Sequence, residues 1–314
     1  MKKIFTILAL AATLASCAKE DIISIDRKAI AFGDTFVDNA TRADYSNSNI
    51  KQFNVYGTVT GNGNTVALFG GDGAVVSRNN KAYGVAWDCT ETEYWIPGAK
   101  YVFEAVVDGT ISNNGTIAYT IGSNPDSDGV NDLLYATETV PSAVANQGLV
   151  KFTFTHLLSK VGFTFTNGVT ANTAYTFNVT DVSFTGHDTT GTYTISTGKW
   201  DEDITESTTA LSFGAPGVVD STAVDANTAV VAPTTHQIIP GEQTLNVTVT
   251  YDILYNGTTM STGVKITKGL THTFEKNKVY NISVVLPAPG EPIKFSVEET
   301  DGVDAWTDGG SKEL

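Results

Sequence analysis

The stretch "VKFTFTHLLSKVGFTFTN" (residues 150–167) sets Phe152, Phe154, Phe163 and Phe165 in alternation with threonines and other small or polar residues. An apolar side chain at every second position is the pattern of a strand that buries one face. The same pattern recurs on both sides. Upstream lie "FNVYGTV" (53–59), "YVFEAVV" (101–107) and "TIAYTI" (116–121); downstream lie "AYTFNVTDVSF" (174–184), "TLNVTVTYDILY" (244–255) and "VYNISVVL" (279–286). Asn-Gly steps at Asn114, Asn167 and Asn256 separate such runs, where hairpins require left-handed residues. Only "DLLYATETV" (132–140) offers a turn or two of helix. The chain therefore reads as all-β, in two β-sandwiches.

Composition agrees. The chain has 314 residues, 41% hydrophobic and 17% charged, enough apolar matter for a sizeable core. "VPSAVANQG" (140–148) reads as a connector, which sets the expected blocks at 43–148 and 149–286, with a tail at 287–314. The net charge is -15 and no basic cluster stands out, so nucleic acid and anionic membrane surfaces are poor partners. Cys17 and Cys89 are the two cysteines, and Cys89 reads as a small buried residue.

The first residues carry an export signal: Lys2 and Lys3, then an apolar run too short to span a bilayer, ending in "LASC" (14–17). This resembles a bacterial lipobox, with residues 1–16 removed and Cys17 acylated. Lys19, Glu20 and Asp21 then resemble a short acidic tag that directs lipoproteins to the outer face of the outer membrane. Next comes "AIAFGDTFVDNATRADYSN" (29–47), a strand followed by Arg42, one of three arginines beside Arg27 and Arg78. Its Ile30-x-Phe32, with Phe36 beyond, is echoed after a proline-rich hinge by Ile293-x-Phe295, with Val297, Val303 and Trp306 following.

Together, the lipobox, the arginine after a leading strand, "YWIPGAKYVFEAV" (94–106), "NDLLYA" (131–136) and the closing "IKFSVEETDGVDAW" (293–306) resemble the fimbrillin family, the pilins of type V pili. The resemblance spans nearly the whole exported chain. It implies two transthyretin-like sandwiches, a lipidated propeptide at 17–42, and cleavage by an Arg-specific protease between Arg42 and Ala43. It also implies loss of the displaced strand (Ile30, Phe32, Phe36) and its replacement by a neighbour's donor strand (Ile293, Phe295, Val297, Val303, Trp306). The expected product is a stalk subunit of a cell-surface fimbria. It would be self-polymerising, partnered by anchor and tip subunits and by a host or bacterial surface receptor, with membrane contact only through the precursor lipid. An anchor would keep its lipid; a tip would need no donor tail.

No sequence motif for catalysis is present, and no enzyme or cofactor is expected. His156, His187, His236 and His272 are scattered without metal-ligand spacing. Asn124, Asp126, Asp128 and Asp132 alternate around Gly129 in a way that suits calcium, but without the glutamate of an EF-hand. A hydrogen-bonded turn before "LLYA" explains them better. Trp87, Trp95 and Trp200 raise a rival reading, a sugar-stacking platform on a glycan-binding surface lipoprotein, against the commoner role of tryptophan in a sandwich core.

Overall fold

The structure is a computed structural model that describes residues 28–37, 50–82, 84–121, 132–145, 147–169, 172–201 and 205–300. Its first half contains β1 (Phe36–Val37), β2 (Gln52–Gly61), β3 (Asn64–Ala67), β4 (Ala74–Ser77), β5 (Asp88–Cys89), β6 (Lys100–Val107), β7 (Thr116–Thr120), β8 (Leu134–Val140) and β9 (Thr153–His156). All but β7 form one sheet in the order β1-β9-β8-β6-β2-β4-β5, with β3 hairpinned onto β2. β1 runs parallel to β9 and the other pairs are antiparallel. The segment at 132–140 is thus strand β8 rather than helix; its Leu134 and Ala136 face the core in period two.

This sheet folds over on itself. Phe53 of β2 stands three strands from β9, about 14 Å across a flat sheet. Yet its ring lies 5.5 Å from that of Phe152 and 5.7 Å from that of Phe154, centroid to centroid. One apolar face therefore wraps a single core that includes Phe53, Trp95, Tyr101, Phe103, Phe152 and Phe154.

The second half contains β10 (Ser159–Asn167), β11 (Tyr175–Thr185), β12 (Asp188–Thr194), β13 (Lys199–Trp200), β14 (Thr205–Glu206), β15 (Leu211–Ser212), β16 (Gly217–Val219), β17 (Val230–Val231) and β18 (His236–Ile238). These are followed by β19 (Gly241–Tyr255), β20 (Thr258–Phe274), β21 (Val279–Leu286) and β22 (Lys294–Thr300). One sheet runs β17-β10-β21-β22 with β18 on β10; the other runs β15-β11-β19-β20 with β16 on β11. They enclose a second core, centred on Phe163, Phe165, Phe177, Phe184, Phe213 and Ile282. Asn256 and Gly257, both at positive φ, make the two-residue β19–β20 turn as their sequence demands. Asn167-Gly168 makes no such turn. Gly168 instead lies so close to β21 that a Cβ would come 2.9 Å from the Leu286 carbonyl oxygen.

The boundary expected before Leu149 is displaced. Val150, Phe152 and Phe154 belong to the first core and β9 pairs with β8, so the two cores meet at Leu157 and Leu158. These leucines join Val106, Ile117, Leu133 and Tyr193 in a third apolar cluster between the sandwiches. A fourth sheet crosses the same seam, because β7 pairs with β12 along five residues. The Trp200 indole N–H donates to the Leu157 carbonyl at 2.8 Å, and the Asn277 N–H to that of Leu158 at 3.0 Å. β6 runs from a free end at Lys100 to the seam at Val107, and β21 from the seam at Val279 to a second free end at Leu286. The seam is the middle of the molecule; those two ends are its poles.

Near the seam, His187 and Asp188 are both buried. Burial, with the nearby His236, pulls the His187 imidazole down to about 4, so it is neutral in the fold. Burial, with the Glu206 charge, pushes the Asp188 carboxyl up to about 6. The folded acid holds its proton up to about pH 6 and the unfolded one only to 3.8. Asp188 therefore adds stability below pH 4 and loses that contribution as pH rises through 6. His187 acts oppositely: its contribution is full above pH 6.5 and is lost as pH falls toward 4. Asp188→Asn is expected to gain about 1–2 kcal/mol at pH 8 and none at pH 4. Urea unfolding at the two pH values checks it; an equal change at both would show that Asp188 is not the titrating group.

Candidate functional site: the seat of the leading strand

Residues 28–37 lie in a groove of the first core, between the 93–95 segment and the residues leading into β9. Main-chain hydrogen bonds hold them on both flanks. The Ile30 N–H donates to the Glu93 carbonyl at 2.8 Å, and the Lys28 carbonyl accepts from Trp95 at 3.0 Å. On the other flank the Ala31 carbonyl accepts from Val150, and the N–H groups of Gly33 and Phe36 donate to the Val150 and Phe152 carbonyls. The Trp87 N–H also donates to the Phe32 carbonyl at 2.9 Å. The segment runs antiparallel to Tyr94 and parallel to Val150, entering at the Lys100 pole and ending toward the seam.

Its period-two pattern sends Ile30 and Phe32 inward. The Phe32 side chain is completely buried, and its ring is 5.7 Å from Phe103, 6.0 Å from Phe152, 6.2 Å from Phe69 and 6.3 Å from Phe53. Offset and edge-on aromatic packing at these spacings adds to the stabilisation from burial alone. Two further fitted residues were not picked out from sequence. A Cβ on Gly33 would stand 2.8 Å from Leu149 Cδ1, so only glycine fits unstrained; a glycine inside a strand pattern is the signal for such a close approach. Asp34 is buried and its carboxylate accepts from the Gly84 N–H at 2.6 Å.

The remaining site residues divide clearly. Phe36 is in β1, but its ring is exposed and fills nothing. Cys17, Arg42, Ala43, Val303, Trp306, Asn124, Asp126 and Asp128 lie outside the described residues. Asp132 is the one member of the acidic loop among the described residues. Its carboxylate is buried against His156, Oδ2 to Nδ1 at 2.5 Å, and among the described residues no group of three potential ligands could hold a metal. Trp87 and Trp95 are core residues, and Trp200 packs on Tyr193 in the seam, so these rings form no sugar platform. Cys89 is half-buried beside the first core. Among the described residues no helix is long and apolar enough to cross a membrane.

The tail is docked on its own C-terminal sandwich. β22 is an edge strand, antiparallel to β21, with Phe295 opposite Val284 and Val297 opposite Ile282. Ile293 is buried, whereas Phe295 and Val297 are only half-buried. Lys268 Nζ lies 5.7 Å from the Phe295 ring centroid, and Lys278 pairs with Glu299 at 2.6 Å. The two Ile-x-Phe segments thus sit on different cores: the leading one at a centre, the trailing one at an edge.

Residues 41–301 match the sequence profile of the family described as Fimbrillin-like. The fold is similar to that of a fimbrial protein from Bacteroides vulgatus, at 14% identity and a TM-score of 0.59, covering 86% of this chain and 98% of that one. It is also similar to a candidate cell adhesion protein from Bacteroides ovatus, at 17% identity and a TM-score of 0.52, covering 88% of this chain and 98% of that one. No curated protein matches the chain in sequence.

The geometry separates two phenylalanines that look alike in sequence. In a chain that keeps residues 28–37, Phe32→Ala is expected to cost about 3–5 kcal/mol, while Phe36→Ala costs less than about 1 kcal/mol. Denaturant unfolding of both variants measures this, and equal losses would contradict the placement of Phe32 at the centre of the core.

Proposed function

The chain belongs to the fimbrillin-like family, whose members are non-enzymatic pilus and adhesion subunits, and on that premise we propose that it is a stalk subunit matured by cleavage after Arg42 and polymerised by strand exchange. The observation that carries this reading is the seat of Phe32: the segment upstream of Arg42 is a buried part of the first core. Cutting after Arg42 would release Cys17 to Arg42, taking the lipid and the leading strand together. The groove would then present Phe53, Phe69, Phe103 and Phe152 to water.

The tail supports the other half of the reading. As an edge strand it is bonded on one side only, and its phenyl ring is half-exposed where it now lies. Transfer into a neighbour's groove would bury Phe295 where Phe32 lay and give its backbone partners on both flanks. Each large apolar side chain fully buried contributes about 1.5–3 kcal/mol, so the exchange replaces weak anchors with strong ones. Donor and groove are different surfaces of one subunit, so the contact is heterologous and propagates as a filament. The family match begins at residue 41, beside Arg42, which leaves the leading strand outside it. Anchor and tip subunits, an Arg-specific protease and a surface receptor are the partners this role requires. The precursor would be an outer-membrane lipoprotein and the product a cell-surface fimbria. With Trp87 and Trp95 in the core, the observation that favoured a glycan-binding lipoprotein is gone.

N-terminal sequencing and intact mass of the protein recovered from its cell surface test the reading. A chain starting at Ala43 is expected. One starting at acylated Cys17 would make the protein a resident lipoprotein instead. Arg42→Ala should hold it as a lipidated, unpolymerised precursor. Truncation before Glu291 should leave a folded, cleavable monomer that forms no ladders; filaments from the truncated chain would overturn the donor assignment.

A further inference from the structure

Strand exchange, taken as the premise here, has a geometric consequence. Six residues, 287–292, join the end of β21 at Leu286 to Ile293. Fully extended, the seven steps from Leu286 to Ile293 span at most about 23–25 Å. With Ile293 of one copy in the groove of the next, the Leu286 pole of the first must lie within that reach of the groove mouth. The mouth is at the Lys100 pole, where Ala29 enters beside Tyr94.

Ten large hydrophobic side chains are exposed among the described residues, and six of them stand at these two poles. Val66, Tyr94 and Val144 surround the groove mouth. Val66 pairs with Val59, which pairs with Tyr101. The Tyr94 carbonyl accepts from the Tyr101 hydroxyl, and Val144 follows Ala143, which exchanges two main-chain hydrogen bonds with the 98–99 turn. Val224, Tyr255 and Met260 surround the other pole. Val224 follows Ala223, whose carbonyl accepts from Asn167 opposite Leu286, and Tyr255 and Met260 are at the tip of the β19–β20 hairpin. Tyr255 also packs edge-on against Tyr175, 5.0 Å between centroids, which widens the apolar surface.

We propose that these two poles are the faces of a head-to-tail interface between copies of this chain: Val224, Tyr255 and Met260 of one copy dock on Val66, Tyr94 and Val144 of the next. The donor strand threads through the centre of that contact. Exposed aromatic, methionine and branched aliphatic side chains gathered at a pole have the composition of an interface core. The contact also fixes donor polarity. A strand whose hinge enters at the pole must run from pole to seam, as residues 28–37 do, and this direction puts Ile293 and Phe295 in the order of Ile30 and Phe32.

The test uses the cleaved protein and a synthetic peptide of residues 291–300. The peptide reports groove filling alone, whereas polymerisation reports groove filling plus docking. Val224→Asp with Met260→Asp alters two exposed side chains away from the groove, so the thermal midpoint of the monomer should stay unchanged. Elongation, followed by light scattering and electron microscopy, should slow at least tenfold. Tyr94→Asp with Val144→Asp should slow it similarly, whereas Val231→Asp, exposed but in mid-strand opposite Thr164 and away from both poles, should not. The precursor, its groove full, should bind no peptide, and the cleaved wild type should bind it. If the peptide binds but the polar double variants elongate at the wild-type rate, the docking faces are wrong. If the cleaved wild type binds no peptide, strand exchange itself fails, and this inference with it.

Discussion

Four aromatic rings, from Phe53, Phe69, Phe103 and Phe152, come together around a fifth that belongs to a different part of the chain. Everything in the first sandwich depends on that fifth ring. The sheet folds over so that Phe53 and Phe152 meet directly, and Phe32 packs against both of them. Interiors tolerate no void of phenyl size without a cost of several kcal/mol. A core organised this way cannot lose residues 28–37 and remain satisfied. It is complete with them in place and, were they lost, would be complete again only when something of the same shape returned.

The second sandwich faces the opposite constraint. Its core closes mainly on β10, β11, β19 and β21; the tail adds Ile293 to the cluster and packs Phe295 and Val297 against its edge. Phe163, Phe165, Phe177 and Phe213 are fully buried, with Phe213 4.7 Å from Phe163 and Tyr251 5.9 Å from Phe177. The seam links the two halves with an apolar cluster and with β7, a strand supplied by one half and paired in the sheet of the other. Force applied along the axis from pole to pole would therefore load β7–β12 and the Leu157–Leu158 cluster together, rather than a single flexible linker.

Much of this was legible in the sequence, for identifiable reasons. Period-two alternation located β2, β6, β10, β11, β19 and β21, since each buries one face against a core. The boundary was misplaced because "VKFTFTHLLSKVGFTFTN" presents two similar strands with one pattern, and alternation says which face is buried but not in which core. The helix suggested at 132–140 failed because Asp-Leu-Leu suits either state and only pairing with β6 decides. Ile30 and Phe32 were found as a buried pair, whereas Phe36 was not separable from them: its exposure comes from β1 reaching the sheet edge. Asp132 looked like a loop oxygen because nothing local reveals that His156, 24 residues later, will meet it inside the protein. Gly33 and Asp34 carried a signal that alternation alone passes over, a glycine and an acid at positions where a strand should carry neither.

Those two residues also mark how the leading strand differs from the strand proposed to succeed it. Aligned on the shared Ile-x-Phe, Gly33 corresponds to Ser296 and Asp34 to Val297. The leading strand thus buries a carboxylate that accepts from the Gly84 N–H, where the tail offers a branched aliphatic side chain. Burying a charge is costly unless it is well paired, and burying a valine is favourable. The serine must displace the Leu149 side chain that approaches Gly33, a smaller cost because a leucine tip can turn aside. Under strand exchange, the tail would place a valine where the leading strand places a carboxylate. While residues 28–37 remain covalently continuous with the body, their high local concentration would hold them in the groove against such a competitor. Cleavage at Arg42 would remove the tether, so one cut peptide bond would be enough to change which strand the core selects.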